Sequence, residues 1–517
     1  MAAAVSVGDR DTAGQMTHGQ ILKALSGLYI GLFVAILSST IVTNALPTIV
    51  ADLNAGQSTY TWVIASTLLT TTVSTPIWGK LADLTSKKML IQLGLAVFCV
   101  GSTLSGLAPN PATLIAARAL QGVGAGGLLA LSQVIMATII SPRERGRYSG
   151  YMGAILAVAT SGGPLIGGVI VDADGLGWRW CFFVVVPFAL LAMAVLQRNI
   201  DLPIKKRKVD VDWTGATLIT AATSLLLIWV TFAGVNYDWM SWQTGAMVGG
   251  AIVLAVLFVV TEARAGEPIV PLHLFRNRTV TLAVLASLFI GIEMYVGTTF
   301  LSQYFQLSQD KTPTMAGILT LPLILGLAVA ATVVGRIITA RGRWKLYLVA
   351  GGILVVVSTV LLGLVRQSTP YWEIALYMVF MGLGLGMTLQ NLVLAVQNQV
   401  QVKELGATTT VVSFFRTLGG TIGVSALGAL LANRVSHYTS DGLARIGVHA
   451  TQKSDGSIPK LSTLPVPVRN VVESSFGHAT GNLFVGTAPF AILALIAILC
   501  IKEVPLRTVS FAGAQND

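Results

Sequence analysis

Apolar stretches about 20 residues long recur along the whole chain, broken by short clusters of Lys and Arg. A stretch of that length crosses the ~30 Å hydrocarbon core of a bilayer as a helix. In lipid, a backbone that is neither helical nor closed into a barrel strands its N–H and C=O groups, so the recurrence predicts an all-α polytopic bundle. The expected spans are 24–47, 60–79, 88–108, 112–139, 148–171, 179–197, 213–233, 242–261, 280–303, 315–339, 346–365, 371–396, 406–432 and 482–501. That makes fourteen transmembrane helices with both termini on one side. Of the 517 residues, 54% are hydrophobic and 11% charged; soluble domains carry about 25% charged residues, and a soluble core could not hide this much apolar surface.

The clusters Lys80/Lys87/Lys88, Arg143/Arg145/Arg147, Lys205/Lys206/Arg207/Lys208 and Arg341/Arg343/Lys345 fall in alternate loops. With the N-terminus placed inside, 23 of the 33 Lys and Arg lie on the inward side, and the short outward loops hold three, Arg179, Lys311 and Arg366. Cytoplasmic loops retain positive charge, which predicts cytoplasmic N- and C-termini. The long segment 435–480 is translocated whatever its charge; rich in Ser, Thr, Pro and Gly, it is either an ordered outward cap or a flexible connection. The net charge of +11 is dispersed over the inward loops, which argues against a nucleic-acid surface. Three cysteines inside apolar runs, Cys99, Cys181 and Cys500, have no metal-like spacing, so no metal or other cofactor is expected. The first twenty residues show no removable leader. The expected location is a bacterial inner (plasma) membrane, with the lipid bilayer, protons and a small-molecule substrate as partners and a monomer as the working form.

After the second span comes Gly79-Lys80-Leu81-Ala82-Asp83-Leu84-Thr85-Ser86-Lys87-Lys88, where Asp83 can cap or pair with positive charge at helix ends. A weaker copy, Gly335-Arg336-Ile337-Ile338-Thr339-Ala340-Arg341-Gly342-Arg343, follows the tenth span. One pattern at matching places in two six-span blocks marks a duplicated transporter. The chain resembles the major facilitator superfamily, with a tail 1–20, a six-helix bundle 21–200, a linker and inserted helix pair 201–278, a second six-helix bundle 279–502 and a tail 503–517. Leu114 to Gly127, including Arg118-Ala119-Leu120-Gln121-Gly122, and Ser161-Gly162-Gly163-Pro164-Leu165-Ile166-Gly167-Gly168 are similar to motifs of proton-driven drug exporters. With Ile41 to Pro47, Trp178-Arg179-Trp180, Phe415 to Gly420 and Glu503 to Arg507, the likeness to fourteen-span drug:proton antiporters covers nearly the whole chain. Gly122, Gly126, Gly163 and Gly167 also serve close helix packing, and Pro164 a bend. The resemblance implies a part in conformational switching for Gly79, Asp83, Gly163, Pro164, Gly167 and Arg416, and proton relay or conformational coupling for Arg118. A guanidinium in the hydrocarbon zone is costly, which points to function at Arg118, while Arg416 lies nearer the inward end, where snorkelling competes.

Glu293 is the single acid deep inside an expected span, flanked by apolar and aromatic residues. It is the expected proton carrier, binding a proton from outside and releasing it inside; the competing role is a neutral or Arg-paired strut. A cationic substrate is expected to use it as counter-charge. Where these exporters commonly read Leu-Asp-x-Thr-Ile-Val in the first span, this chain has Leu37-Ser38-Ser39-Thr40-Ile41-Val42, and Val185 replaces an asparagine often found before Val-Pro in span six. The missing first-span acid weakens the case for divalent cations. Asn44, Trp62, Tyr295, Phe300, Gln390, Asn391 and Phe414 are candidate substrate contacts, each equally able to serve packing. The expected function is proton-coupled export of lipophilic neutral or cationic small molecules by alternating access. The alternatives are export of one endogenous metabolite or lipid and, further off, a non-transporting sensor or scaffold. No Walker loop suggests ATP as fuel, and no span places a His beside a Ser, Cys or acid, so an enzyme is not expected.

Overall fold

The computed structural model describes residues 18–53, 55, 57–140, 145–173, 176–199, 212–233, 237–266, 268–311, 313–401, 404–446 and 465–506. The tail before His18, the clusters at Arg143 and Lys205–Lys208, and segment 447–464 lie outside these residues. The described chain is all-helical. Helices α1 (His18–Asp52), α2 (Gln57–Leu84), α3 (Lys87–Gly106), α4 (Pro111–Ile139), α5 (Arg145–Asp172), α6 (Trp180–Phe183) and α7 (Val185–Asn199) make the first six-span block, with α6 and α7 together forming one crossing. Helices α8 (Trp213–Phe232) and α9 (Trp242–Arg264) follow as a pair. The second block contains α10 (Arg278–Leu307), α11 (Pro313–Leu319), α12 (Leu321–Arg341), α13 (Lys345–Leu362), α14 (Tyr371–Gln397), α15 (Leu405–Arg445) and α16 (Val466–Cys500).

Twelve helical stretches among the described residues are long and apolar enough to cross a bilayer, against the fourteen expected. The two expected spans outside that set, 60–79 and 148–171, are helical nonetheless, in α2 and α5, each 28 residues long. Helix α2 is less apolar because it carries a ladder of hydroxyls, and these find partners on α4. Thr67, Thr71 and Ser74 donate to the carbonyls of Arg118, Gly122 and Val123 at 3.3, 3.0 and 3.4 Å, and Trp78 Nε1 donates to Val123 at 2.9 Å. Segment 435–480 begins and ends as helix, because α15 runs on to Arg445 and α16 starts at Val466. At 1.5 Å per residue these helices are roughly 60 and 50 Å long, well beyond the bilayer core.

The main helix contacts of one block recur in the other. In the first, α4 packs on α2 and α3, and α1 packs on α5 and α7; in the second, α14 packs on α12 and α13, and α10 packs on α15 and α16. Glycine spacing explains the match. Gly122 and Gly126 of α4 lie against the α2 backbone at Thr67 and Thr71, while Gly124 between them lies against Phe98 of α3. On α14, Gly382 and Gly386 meet Leu323 and Leu327 of α12, and Gly384 meets Gly351 of α13. At each of these six positions a Cβ would fall under 3.0 Å from a neighbouring backbone atom. A second device recurs at the same spacing: Gly163 and Gly167 of α5 rest on Thr40 and Ile41 of α1, and Gly419 and Gly423 of α15 rest on Leu288 and Ile292 of α10.

The blocks meet along two seams, α2 against α15 and α5 against α12. At the first seam, Gly79 faces the Thr410 side chain so closely that a Cβ would overlap it. The inserted pair stands beside this seam: α8 touches both α2 and α15, and Trp62 of α2 packs on Phe232 of α8 with ring centroids 4.6 Å apart. The lipid-facing side of α9 is apolar, with Ile252, Val253, Val256 and Val260 exposed.

Gly382→Ala should lower stability by about 1–3 kcal/mol, because overpacking must push α14 off α12. Gly245→Ala, on α9 with nothing within 4 Å, should change stability little. Thermal unfolding of the two purified variants in lipid nanodiscs checks the contrast; equal losses would refute the close-packing role.

Candidate functional site

Glu293 sits at mid-height on α10 and is fully buried, at 0% exposure. Its Oε2 accepts from the Thr359 hydroxyl of α13 at 2.8 Å, while the Thr487 hydroxyl of α16 donates to the Phe484 carbonyl of its own helix at 2.9 Å. Oε1 has no hydrogen-bond partner. The carboxyl therefore points into the core of the second block, between α10, α13 and α16. Tyr295 and Phe300, two and seven residues further along α10, point elsewhere, against Gly420 and Gly428 of α15. The pairing of Glu293 with a cationic substrate expected from the sequence is thus not favoured by the geometry: the acid and the expected lining residues of the same helix face different neighbours.

Arg118 occupies the other block. It is 4% exposed, seven residues into α4 from the end that carries Pro111. Its Nη1 donates to Gln121 Oε1 at 2.5 Å, and Gln121 Nε2 donates to the Ser38 hydroxyl of α1 at 3.1 Å. The guanidinium carbon lies 6.0 Å from the Phe182 ring centroid, and Nε is buried without an acceptor. A neutral chain, Gln121 then Ser38, thus leads from Arg118 to the position where similar exporters carry an acid. Arg118 and Glu293, both expected in proton coupling, are not brought together.

Arg416 of α15 lies near Tyr295, close enough for the two to interact electrostatically, and the next residue, Thr417, donates to the Ser413 carbonyl of its own helix at 3.0 Å. The remaining candidates scatter. Trp62 packs on the inserted pair rather than on the second block. Phe414 is buried edge-on against Phe415 at 5.3 Å. Asn391 is buried and donates to the Met387 carbonyl of its own helix at 2.6 Å, and Gln390, its neighbour on α14, is half-buried. Gly163 and Gly167 face α1. The side chains of Asn44, Asp83 and Pro164 lie outside the described ones.

Several residues that matter here carry no special mark in the sequence. Thr359, the hydroxyl partner of Glu293, looks like an ordinary polar residue of a membrane helix, and Gln121, the partner of Arg118, stands in a motif without any sign of that pairing. Glu262 reads as a helix-end acid, yet it is 3% exposed, a buried carboxyl at the end of α9, away from Glu293. The motif residues Glu503 to Pro505 acquire a structural role: Glu503 Oε1 accepts from the backbone N–H of Trp344 and Lys345 at 2.8 and 3.1 Å, capping α13, and the Pro505 carbonyl accepts from Asn398. Trp178 and Arg179 both engage Asp52 at the end of α1, at 2.7 and 3.5 Å.

A family model described as Major Facilitator Superfamily matches residues 28–424. The chain is 33% identical over 485 residues to an uncharacterized MFS-type transporter of Mycobacterium tuberculosis, covering 94% of this chain and 70% of the relative. It is 32% identical over 483 residues to the multidrug transporter protein MdtP of Bacillus subtilis, covering 93% and 85%. Among solved structures, the proton:xylose symporter XylE has the same fold at a TM-score of 0.62 and 12% identity, over 96% of this chain and 99% of that one. The human organic anion transporter MFSD10 gives 0.58 at 15% identity, over 92% and 99%.

Gln121→Leu should strand the guanidinium of Arg118 and cost about 1–3 kcal/mol, whereas Gln121→Glu supplies the missing counter-charge and should be the more stable of the two. Unfolding temperatures in nanodiscs read the difference. The reverse order would remove Gln121 as the partner that holds Arg118.

Proposed function

The chain belongs to the major facilitator superfamily and is a membrane transporter, and from that premise we propose that it exports lipophilic neutral or cationic small molecules by alternating access, driven by inward proton flow. Relatives named as a multidrug transporter and a multidrug resistance protein support the substrate class. The observation that carries the coupling is Glu293: a wholly buried carboxyl whose hydrogen-bond partner is the Thr359 hydroxyl and whose Oε1 is unpaired. An isolated carboxylate is costly in such a place, whereas a protonated one is at ease. Gaining and losing a proton there changes how α10 packs on α13 and α16, and α10 in turn is the helix that α15 grips through Gly419 and Gly423. Proton and substrate then compete through the two packings of one bundle rather than for one carboxylate. The basic side of the molecule is read as cytoplasmic.

In proteoliposomes with an imposed pH gradient, Glu293→Gln should abolish gradient-driven export and substrate-induced proton release, while substrate binding and exchange persist for neutral and cationic compounds alike. Wild-type behaviour of Glu293→Gln in both assays would remove Glu293 from the mechanism. A loss of binding confined to cationic compounds would instead restore direct charge pairing.

Orientation is tested separately. Cysteines placed at Asn110 and Tyr237 should react with an impermeant thiol reagent from outside the cell, and those at Ser86 and Arg343 should not. Labelling at Ser86 from outside would reverse the topology.

A further inference from the structure

The basic motif at the end of α2 and its weaker copy at the end of α12 use their charges differently. In the first block two of the cations are taken up by the protein. Lys80 is 6% exposed, on a helix that packs against α8 of the inserted pair, and Lys88 donates to the Gln197 carbonyl near the end of α7 at 2.9 Å. The second block repeats the latter contact, since Lys345 donates to the Leu499 carbonyl near the end of α16 at 3.2 Å. Arg336 stands where Lys80 stands, one residue past the motif glycine, yet it is exposed, and so are Arg341 and Arg343 at the turn that follows. None of these three guanidiniums has an ion-pair or hydrogen-bond partner among the described residues. No acid occurs in the sequence between Asp310 and Glu373, and Glu503, the acid held at this turn, is committed to the backbone N–H groups of Trp344 and Lys345.

The face of α12 that leads to these charges is apolar and bare. Leu325, Val329 and Val333 are 55%, 54% and 48% exposed. At 3.6 residues per turn they fall, with Arg336, within about a quarter of the helix circumference. Other faces of α12 are packed on α5 and α14, while α2, its counterpart in the first block, also has α8 laid against it. From Leu325 to Arg336 the helix rises roughly 16 Å, close to half of the ~30 Å hydrocarbon core. An apolar track one leaflet long that ends in unpaired cations has the outline of one phospholipid, with an acyl chain along the track and the headgroup at its end. Charge decides which phospholipid. A lone arginine at this depth snorkels to any headgroup layer, but three guanidiniums without an acid carry an excess charge that an anionic headgroup neutralises and a zwitterionic one does not.

We infer that this face of α12 is a binding site for an anionic phospholipid of the basic-side leaflet, its acyl chain on Leu325, Val329 and Val333 and its headgroup at Arg336, Arg341 and Arg343. The site lies on a helix of the α5–α12 seam, so lipid stands there beside the blocks as α8 stands beside them at the other seam.

Binding is the readout, so the test does not depend on transport. Native mass spectrometry of the detergent-purified protein, with phosphatidylglycerol or phosphatidylcholine of the same chain length added, counts the lipids retained. The wild type should hold phosphatidylglycerol in preference. Arg336→Gln with Arg343→Gln should weaken that binding about 30-fold, the usual effect of two basic side chains at an anionic headgroup layer, and leave phosphatidylcholine unchanged, whereas Arg336→Lys with Arg343→Lys should keep the preference. Arg198→Gln with Lys502→Gln removes the same charge from other exposed positions on the basic side and should bind as the wild type does. Equal retention of the two lipids by the wild type overturns the site, as does an equal loss in the two glutamine pairs, which marks diffuse charge rather than a place. Displacement of the bound lipid by excess soluble glycerol phosphate removes the acyl track and overturns it as well.

Discussion

Close approach of backbones is the constraint on which the rest of this molecule depends. Inside a bilayer no hydrophobic force drives one apolar helix onto another, so packing and interhelical hydrogen bonds must do it. Glycine supplies the first: Gly122, Gly124 and Gly126 let α4 seat against α2 and α3, and Gly382, Gly384 and Gly386 do the same for α14 against α12 and α13. The second follows from the first, because at that separation the hydroxyls of Thr71 and Ser74 reach carbonyls of α4. Weak hydroxyl–carbonyl bonds of this kind hold a helix in register without welding it, which suits a protein whose helices must move.

Two charged side chains, Arg118 and Glu293, are buried within the helix packing of the two blocks. Arg118 lies in one block with an amide and an aromatic face around it, and Glu293 lies in the other with the Thr359 hydroxyl on one oxygen. Among the described residues neither is matched by an opposite charge in direct contact, so each keeps the cost of its ionised form rather than cancelling it. Such groups respond to small changes in solvation. Ser38 is part of this arrangement: a hydroxyl at that position lets Gln121 bridge α1 and α4 without neutralising Arg118.

Much of the fold is legible in the residue order. Apolar run length places the helices, the Lys and Arg clusters mark one side, and the repeated Gly79 and Gly335 patterns announce a duplication that helix contacts then repeat pair by pair. Helix rotation is another matter. Helix α10 is apolar or aromatic around Glu293 on every side, so no polar stripe tells which face meets α13 and which meets α15; only the neighbours' glycines decide it. Helix length is hidden for the opposite reason, since α15 and α16 leave the apolar zone while keeping helical periodicity through Arg434 to Arg445 and Val466 to Thr480. Burial of Glu262 is invisible because the group that holds it, the Ile269 N–H, lies past the end of its helix, across a loop.

The inserted pair breaks the symmetry that the two blocks otherwise share. One seam, between α2 and α15, has α8 laid along it; the other, between α5 and α12, has no equivalent helix among the described residues. Two halves that match helix for helix are thus joined by edges of unequal build: at one edge two helices meet, at the other two helices meet with a third laid against both. A near-twofold molecule acquires a front and a back, and any rocking of one half against the other drags an extra helix on one edge and no counterpart among the described residues on the other.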